Sequence, residues 1–98
     1  VSTPPIVGTH RMTPRESHLL AIDFTNNLGA SETLSGAGAR LIDLSTATTA
    51  TPSAAVDGKL VEATASGLTA GKKYHLELYA TGSSGNVWAG IIEITCVT

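Results

Sequence analysis

Three histidines, His10, His18 and His75, are the side chains best suited to proton transfer or metal ligation in this chain. Imidazole changes charge near neutral pH and is the commonest transition-metal ligand. None of the three stands at the i, i+4 spacing by which a helix presents paired ligands. His10 and His18 flank a short polar stretch and could meet in a fold, but their spacing does not demand it. All three read as solvated surface residues, and no metal is expected. The eight carboxylates, Glu16, Asp23, Glu32, Asp43, Asp57, Glu62, Glu77 and Glu93, are scattered singly. No pair has a spacing that dictates acid and base roles. Glu77 and Glu93 fall on neighbouring strands near Lys73 and read as an ordinary exposed, charged sheet face.

Nucleophiles fare no better. No Gly-x-Ser-x-Gly elbow occurs. Gly82-Ser83-Ser84-Gly85 is near it in letters but lies at a hairpin tip, and Gly36-Ala37-Gly38 precedes a strand where a phosphate cradle needs a helix. Cys96 is the one cysteine, so it can form no intramolecular disulfide and reads as a small buried hydrophobe. The chain is therefore expected to be no enzyme, with no catalytic or cofactor-binding residue and no small-molecule substrate.

The elements that would position any such group are strands. Leu68 to Cys96 holds two alternating runs around a glycine-rich turn, the mark of a β-hairpin with a long loop. In the first run Tyr74, Leu76, Leu78 and Ala80 share one face, and Lys73, His75, Glu77 and Tyr79 the other. The approach Leu68-x-x-Gly71-x-x-Tyr74 matches the tyrosine corner of immunoglobulin-like and fibronectin-type sandwiches, in which a buried Tyr returns its hydroxyl to upstream backbone. A Tyr that simply starts a strand is the plainer alternative. The tip Gly82-Ser83-Ser84-Gly85-Asn86 reads as a solvated turn or as an interaction loop.

Earlier in the chain, Val1 to Gly8 carries Pro4 and Pro5 and reads as an extended tail or sheet edge, with Ile6 and Val7 as a possible short strand. Residues 1–10 are assigned to an extended N-terminal segment and 11–98 to one domain. His18 to Thr25 is a strand with Leu20, Ile22 and Phe24 on one face. Ser31 to Ser35 is a polar connection. Gly38 to Leu44 is a strand with Arg40, Ile42 and Leu44 opposite Leu41 and Asp43, and Ile42 and Leu44 are assigned to the core. Residues 45–53 fit an exposed strand or a loop equally. Ala54 to Asp57 and Lys59 to Ala65 flank an Asp57-Gly58 turn. The remaining core is expected at Ile22, Phe24, Val61, Ala63, Tyr74, Leu76, Leu78, Ile92 and Ile94, with Trp88 on the Ile92 face. The expected fold is all-β, an immunoglobulin-like or fibronectin type III-like β-sandwich of about seven strands.

Composition agrees with one small domain of 98 residues. Aromatics are 4%, so the core must be aliphatic. A net charge of −2 with no basic stripe argues against nucleic acid, and no polybasic run points to a membrane. No apolar run is long enough to cross a bilayer as a helix. No charged start followed by an apolar block marks a signal peptide, although a chain opening on Val1 leaves a removed leader open.

A set of short motifs resembles the small immunoglobulin-like fibre–tail adaptor proteins of tailed phages and prophages. The matching residues are Arg11 and Pro14, Asp23-Phe24, Leu28, Glu32-Thr33-Leu34-x-Gly36 with Ser35 one place early, and Ala70-Gly71-x-x-Tyr74, across residues 11 to 98. The chain departs from that pattern in having Phe24 in place of Trp, and in lacking a second Trp and a basic residue after the hairpin tip. The resemblance implies a non-catalytic virion component, located in the virion or in host cytoplasm before assembly. It would join tail or connector to fibre through other virion structural proteins or self-association. The alternative is a fibronectin-like accessory binding module of a secreted bacterial protein or adhesin.

Overall fold

The computed structural model describes residues 4–98. Val1 to Thr3, part of the expected N-terminal segment, lie outside the described residues. Eight strands follow in order: β1 (Ile6–Met12), β2 (His18–Asp23), β3 (Leu34–Asp43), β4 (Thr49–Ala50), β5 (Ala54–Asp57), β6 (Leu60–Ala65), β7 (Lys73–Gly82) and β8 (Val87–Cys96). They form a five-stranded mixed sheet, β1-β8-β7-β3-β4, and a three-stranded antiparallel sheet, β2-β6-β5. The two sheets make a β-sandwich, and no helix occurs among the described residues.

The centre is the β7–β8 hairpin, whose register runs from Lys73 opposite Thr95 to Thr81 opposite Val87. Alternation along β7 sends Tyr74, Leu76, Leu78 and Ala80 inward, all buried. Ile92, Ile94 and Cys96 join them from β8, and Ile22, Val61, Ala63 and Ala65 of the other sheet close over them together with Phe24, which directly follows β2. Trp88 packs against the edge of this core.

β3 takes the opposite phase from the one expected. Leu41 pairs with Leu76 and Ala39 with Leu78, so these two face inward, and Arg40 and Ile42 face outward. Leu44 lies beyond the strand and is 44% exposed. Both faces of this segment carry an aliphatic residue, so alternation alone could not choose between them. β3 also begins earlier than expected, at Leu34, which packs on the core. Residues 45–53 resolve into a turn, with Ala47 at φ 59°, and the two-residue β4.

The boundary expected between residues 10 and 11 runs through the middle of β1. That strand pairs in parallel with β8 from Ile6 opposite Ile91 to Met12 opposite Cys96, and Met12 is buried. The sandwich closes differently on its two sides. β3 and β5 lie against each other, whereas β1 and β2 have no backbone pairing between them among the described residues.

Candidate interaction surfaces

At one end of the sandwich the Tyr74 ring is buried and its hydroxyl accepts a hydrogen bond from the Thr69 amide at 2.9 Å. Gly71, at φ 83°, makes the turn that brings the chain back, and its amide donates to the Cys96 carbonyl. Leu68 is buried beside them. Asp43 lies at the same end. Its carboxylate accepts from the Ser45 hydroxyl at 2.7 Å and amide at 2.9 Å, and from Lys72 Nζ at 3.0 Å. The Ser45 and Lys72 bonds hold its carboxyl at about 2, below the usual aspartate value.

At the opposite end, the tip Gly82-Ser83-Ser84-Gly85-Asn86 is tied to the loop between β2 and β3. The Ser83 amide donates to the Thr33 carbonyl at 2.8 Å, and the Thr33 amide returns a bond to Ser83 Oγ at 3.2 Å. Glu32 spans both loops. Its Oε1 accepts from the Gly29 amide at 3.1 Å, and its Oε2 accepts from the Ser84 hydroxyl and from the Ser84 amide at 3.3 Å. These donors, the Ser84 hydroxyl foremost, hold the Glu32 carboxyl below its usual range. Gly85 at φ 96° turns the tip, and Gly82 leaves room for Trp88, whose ring would lie within 3.0 Å of any Cβ there.

The outer face of the larger sheet is not the plain charged surface expected. Glu77 is 4% exposed, and its Oε1 accepts from Arg40 Nε at 2.7 Å and from the Tyr79 hydroxyl at 2.8 Å. Arg40 sits directly opposite Glu77 on β3, and Tyr79 is two residues along the same face. Burial and the bond to Glu77 raise the Tyr79 phenol above its usual value. Ile91, opposite Glu77 on the other side, is buried on this same face. Glu93 is cross-strand from His75, with Glu93 Oε2 3.5 Å from His75 Nε2, and it faces neither Glu77 nor Lys73 directly.

The open seam between β1 and β2 forms a cleft of about 520 Å³, lined by Val7, Leu20, Ile22, Phe24 and Ile92 among others. His10 stands on its wall, and at the seam His10 Nε2 lies 2.6 Å from His18 Nδ1. The rings meet edge to face with centroids 4.9 Å apart. His18 Nε2 is 3.5 Å from Glu16 Oε2, and Glu16 Oε1 accepts from the Thr13 amide at 2.6 Å. The histidines thus differ from the solvated residues expected. His10 and His18 form a pair, and His75 faces Glu93. No group of three or more His, Cys, Asp or Glu suited to a metal occurs among the described residues. No helix among them is long and apolar enough to cross a membrane.

No family model and no curated protein matches the chain. Among solved structures it is similar to the crystal structure of Listeria monocytogenes InlP, at 15% identity and a TM-score of 0.55. The match covers 94% of this chain and 26% of the InlP chain, so the protein spans about a quarter of that chain's length. A likeness at this identity is one of fold alone.

Proposed function

We propose that the protein is a non-catalytic interaction module of immunoglobulin-like type, serving as an adaptor among virion structural proteins of a tailed phage or prophage. Strand order supports the fold type. Sheet β2-β6-β5 corresponds to strands B, E and D of an immunoglobulin sandwich, and β8-β7-β3 to G, F and C. β4 takes the C′ place, and β1 lies beside the last strand. The buried Tyr74 with its Thr69 bond fits the tyrosine corner of such domains.

The observation that carries the functional reading is the end surface bound together by Glu32. The motif residues Phe24, Leu28 and Glu32-Thr33 fall on the connection between β2 and β3, with Asp23 and Leu34 at its two ends, and Glu32 fastens that connection to the hairpin tip. A surface held by hydrogen bonds loses little conformational freedom on binding, which suits a permanent structural joint. The aromatic side chains a sugar site would need are engaged elsewhere, Tyr79 with Glu77 and Trp88 with the core edge.

Mass spectrometry of particles purified after prophage induction tests the reading. The chain is expected in the particles in fixed ratio to tail proteins, and Glu32→Ala is expected to reduce its incorporation. Absence from particles, with recovery from the culture medium or cell envelope, would overturn the adaptor role and favour an accessory module of a secreted protein or adhesin.

A further inference from the structure

We propose that His10 and His18 form a two-imidazole site for a divalent transition-metal ion of the zinc, copper and nickel class, closing the seam between β1 and β2. The two residues belong to different sheets, and alternation places both at core-facing positions. His10 falls between Gly8 and Met12, and His18 shares the face of Leu20 and Ile22. Aliphatic residues at those positions would complete the apolar lining of the seam. Instead, two ring nitrogens converge at 2.6 Å at its mouth.

The carboxylate behind them fixes the chemistry. Glu16 is held by the Thr13 amide, and its free oxygen lies 3.5 Å from His18 Nε2. That contact favours the proton on Nε2 and leaves the Nδ1 lone pair directed at His10. A carboxylate on the far nitrogen of a ligating histidine is the usual arrangement around protein-bound metals, where it orients the ring and raises its basicity. When His10 carries its proton on Nδ1, its Nε2 lone pair points at the same spot. Two imidazoles on a tetrahedral ion, with bonds of about 2.0–2.1 Å, stand roughly 3.3 Å apart, so the pair need separate by less than about 1 Å. Both histidines are partly exposed, so an ion can reach them and water can fill its remaining positions. Imidazole selects zinc, copper and nickel over magnesium and calcium, which prefer oxygen ligands. Such an ion would link the two sheets on the side where their backbones do not pair.

The test uses the untagged chain and metal salts alone. Cu²⁺ added in substoichiometric amounts is expected to broaden the amide resonances around His10 and His18 together before those around His75. Zn²⁺ is expected to bind one per chain and to raise the melting temperature as its concentration increases. His10→Ala or His18→Ala should weaken Zn²⁺ binding by at least about tenfold, and Glu16→Gln by on the order of tenfold. His75→Ala should leave binding unchanged. Broadening centred on His75, broadening spread equally over the three histidines, or no saturable Zn²⁺ binding would overturn the proposal. The Cu²⁺ result on the unaltered chain decides the matter even where a variant folds poorly.

Discussion

The Thr69 amide donates to the Tyr74 hydroxyl across five residues of chain, a single bond that fastens the turn before β7 to the base of the core. Tyr74→Phe keeps the buried ring and removes only the acceptor. It is expected to cost about 1 kcal/mol, the ordinary worth of one internal hydrogen bond. Tyr74→Ala also removes the ring and should cost about 3–5 kcal/mol, in the range of other large aromatic truncations. Urea unfolding followed by Trp88 fluorescence measures both.

Asp43 makes stability pH-dependent on the acid side. Its carboxyl titrates at about 2 in the folded chain, below the ordinary value of 3.8. The folded state therefore favours the ionised form. That contribution is complete above the ordinary value and is lost as pH falls toward about 2. Asp43→Asn should flatten the decline of melting temperature across that window and leave the slope near neutrality unchanged. Calorimetric scans at stepped pH would show it.

Gly82 has no room for a methyl group. An added Cβ would collide with Glu32 Oε2 and lie 2.8 Å from Trp88 Cζ3. Gly82→Ala is expected to destabilise by about 1–3 kcal/mol, as overpacking does, and to loosen the bond between Glu32 and the hairpin tip. Gly8→Ala, with nothing within 4 Å of its new carbon, should change stability by no more than about 0.5 kcal/mol. Chemical denaturation separates the two, and amide exchange at Ser84 reports the loosening.

Leu44 makes the phase of β3 testable, with Leu76 of β7 as the buried reference. Leu76 is fully buried opposite Leu41, and Leu44 is 44% exposed. Leu76→Ala should cost about 2–5 kcal/mol, and Leu44→Ala no more than about 0.5 kcal/mol. Equal costs in equilibrium unfolding would mean that β3 lies in the other phase.

Much of the sandwich is legible in the chain because β7 and β8 each confine their strongest aliphatic series to one face. Tyr74, Leu76 and Leu78, with Ile92 and Ile94, can be assigned inward from alternation alone. β3 is ambiguous because Leu41 and Ile42 are adjacent and equally apolar, and only pairing with Leu76 decides between them. Glu77 is hidden for a related reason. A charged residue on an outward position reads as solvated until Arg40, Tyr79 and Ile91 are known to surround it, and these come from three strands. The histidine pair depends on longer-range relations still. It requires β1 to lie beside β8 and β2 beside β6, neither of which is written in the local spacing of His10 and His18.

The parallel pairing of β1 with β8 bears on how the molecule carries load. Tension between Pro4 and Thr98 draws two neighbouring strands of the same direction past each other lengthwise. The bonds from Ile6–Ile91 through Met12–Cys96, with the flanking Ile91-to-Pro5 and Val97-to-Met12 bonds, then bear force together and do not unzip singly. Resistance to stretching between Pro4 and Thr98 is thereby built into this one parallel pair of strands.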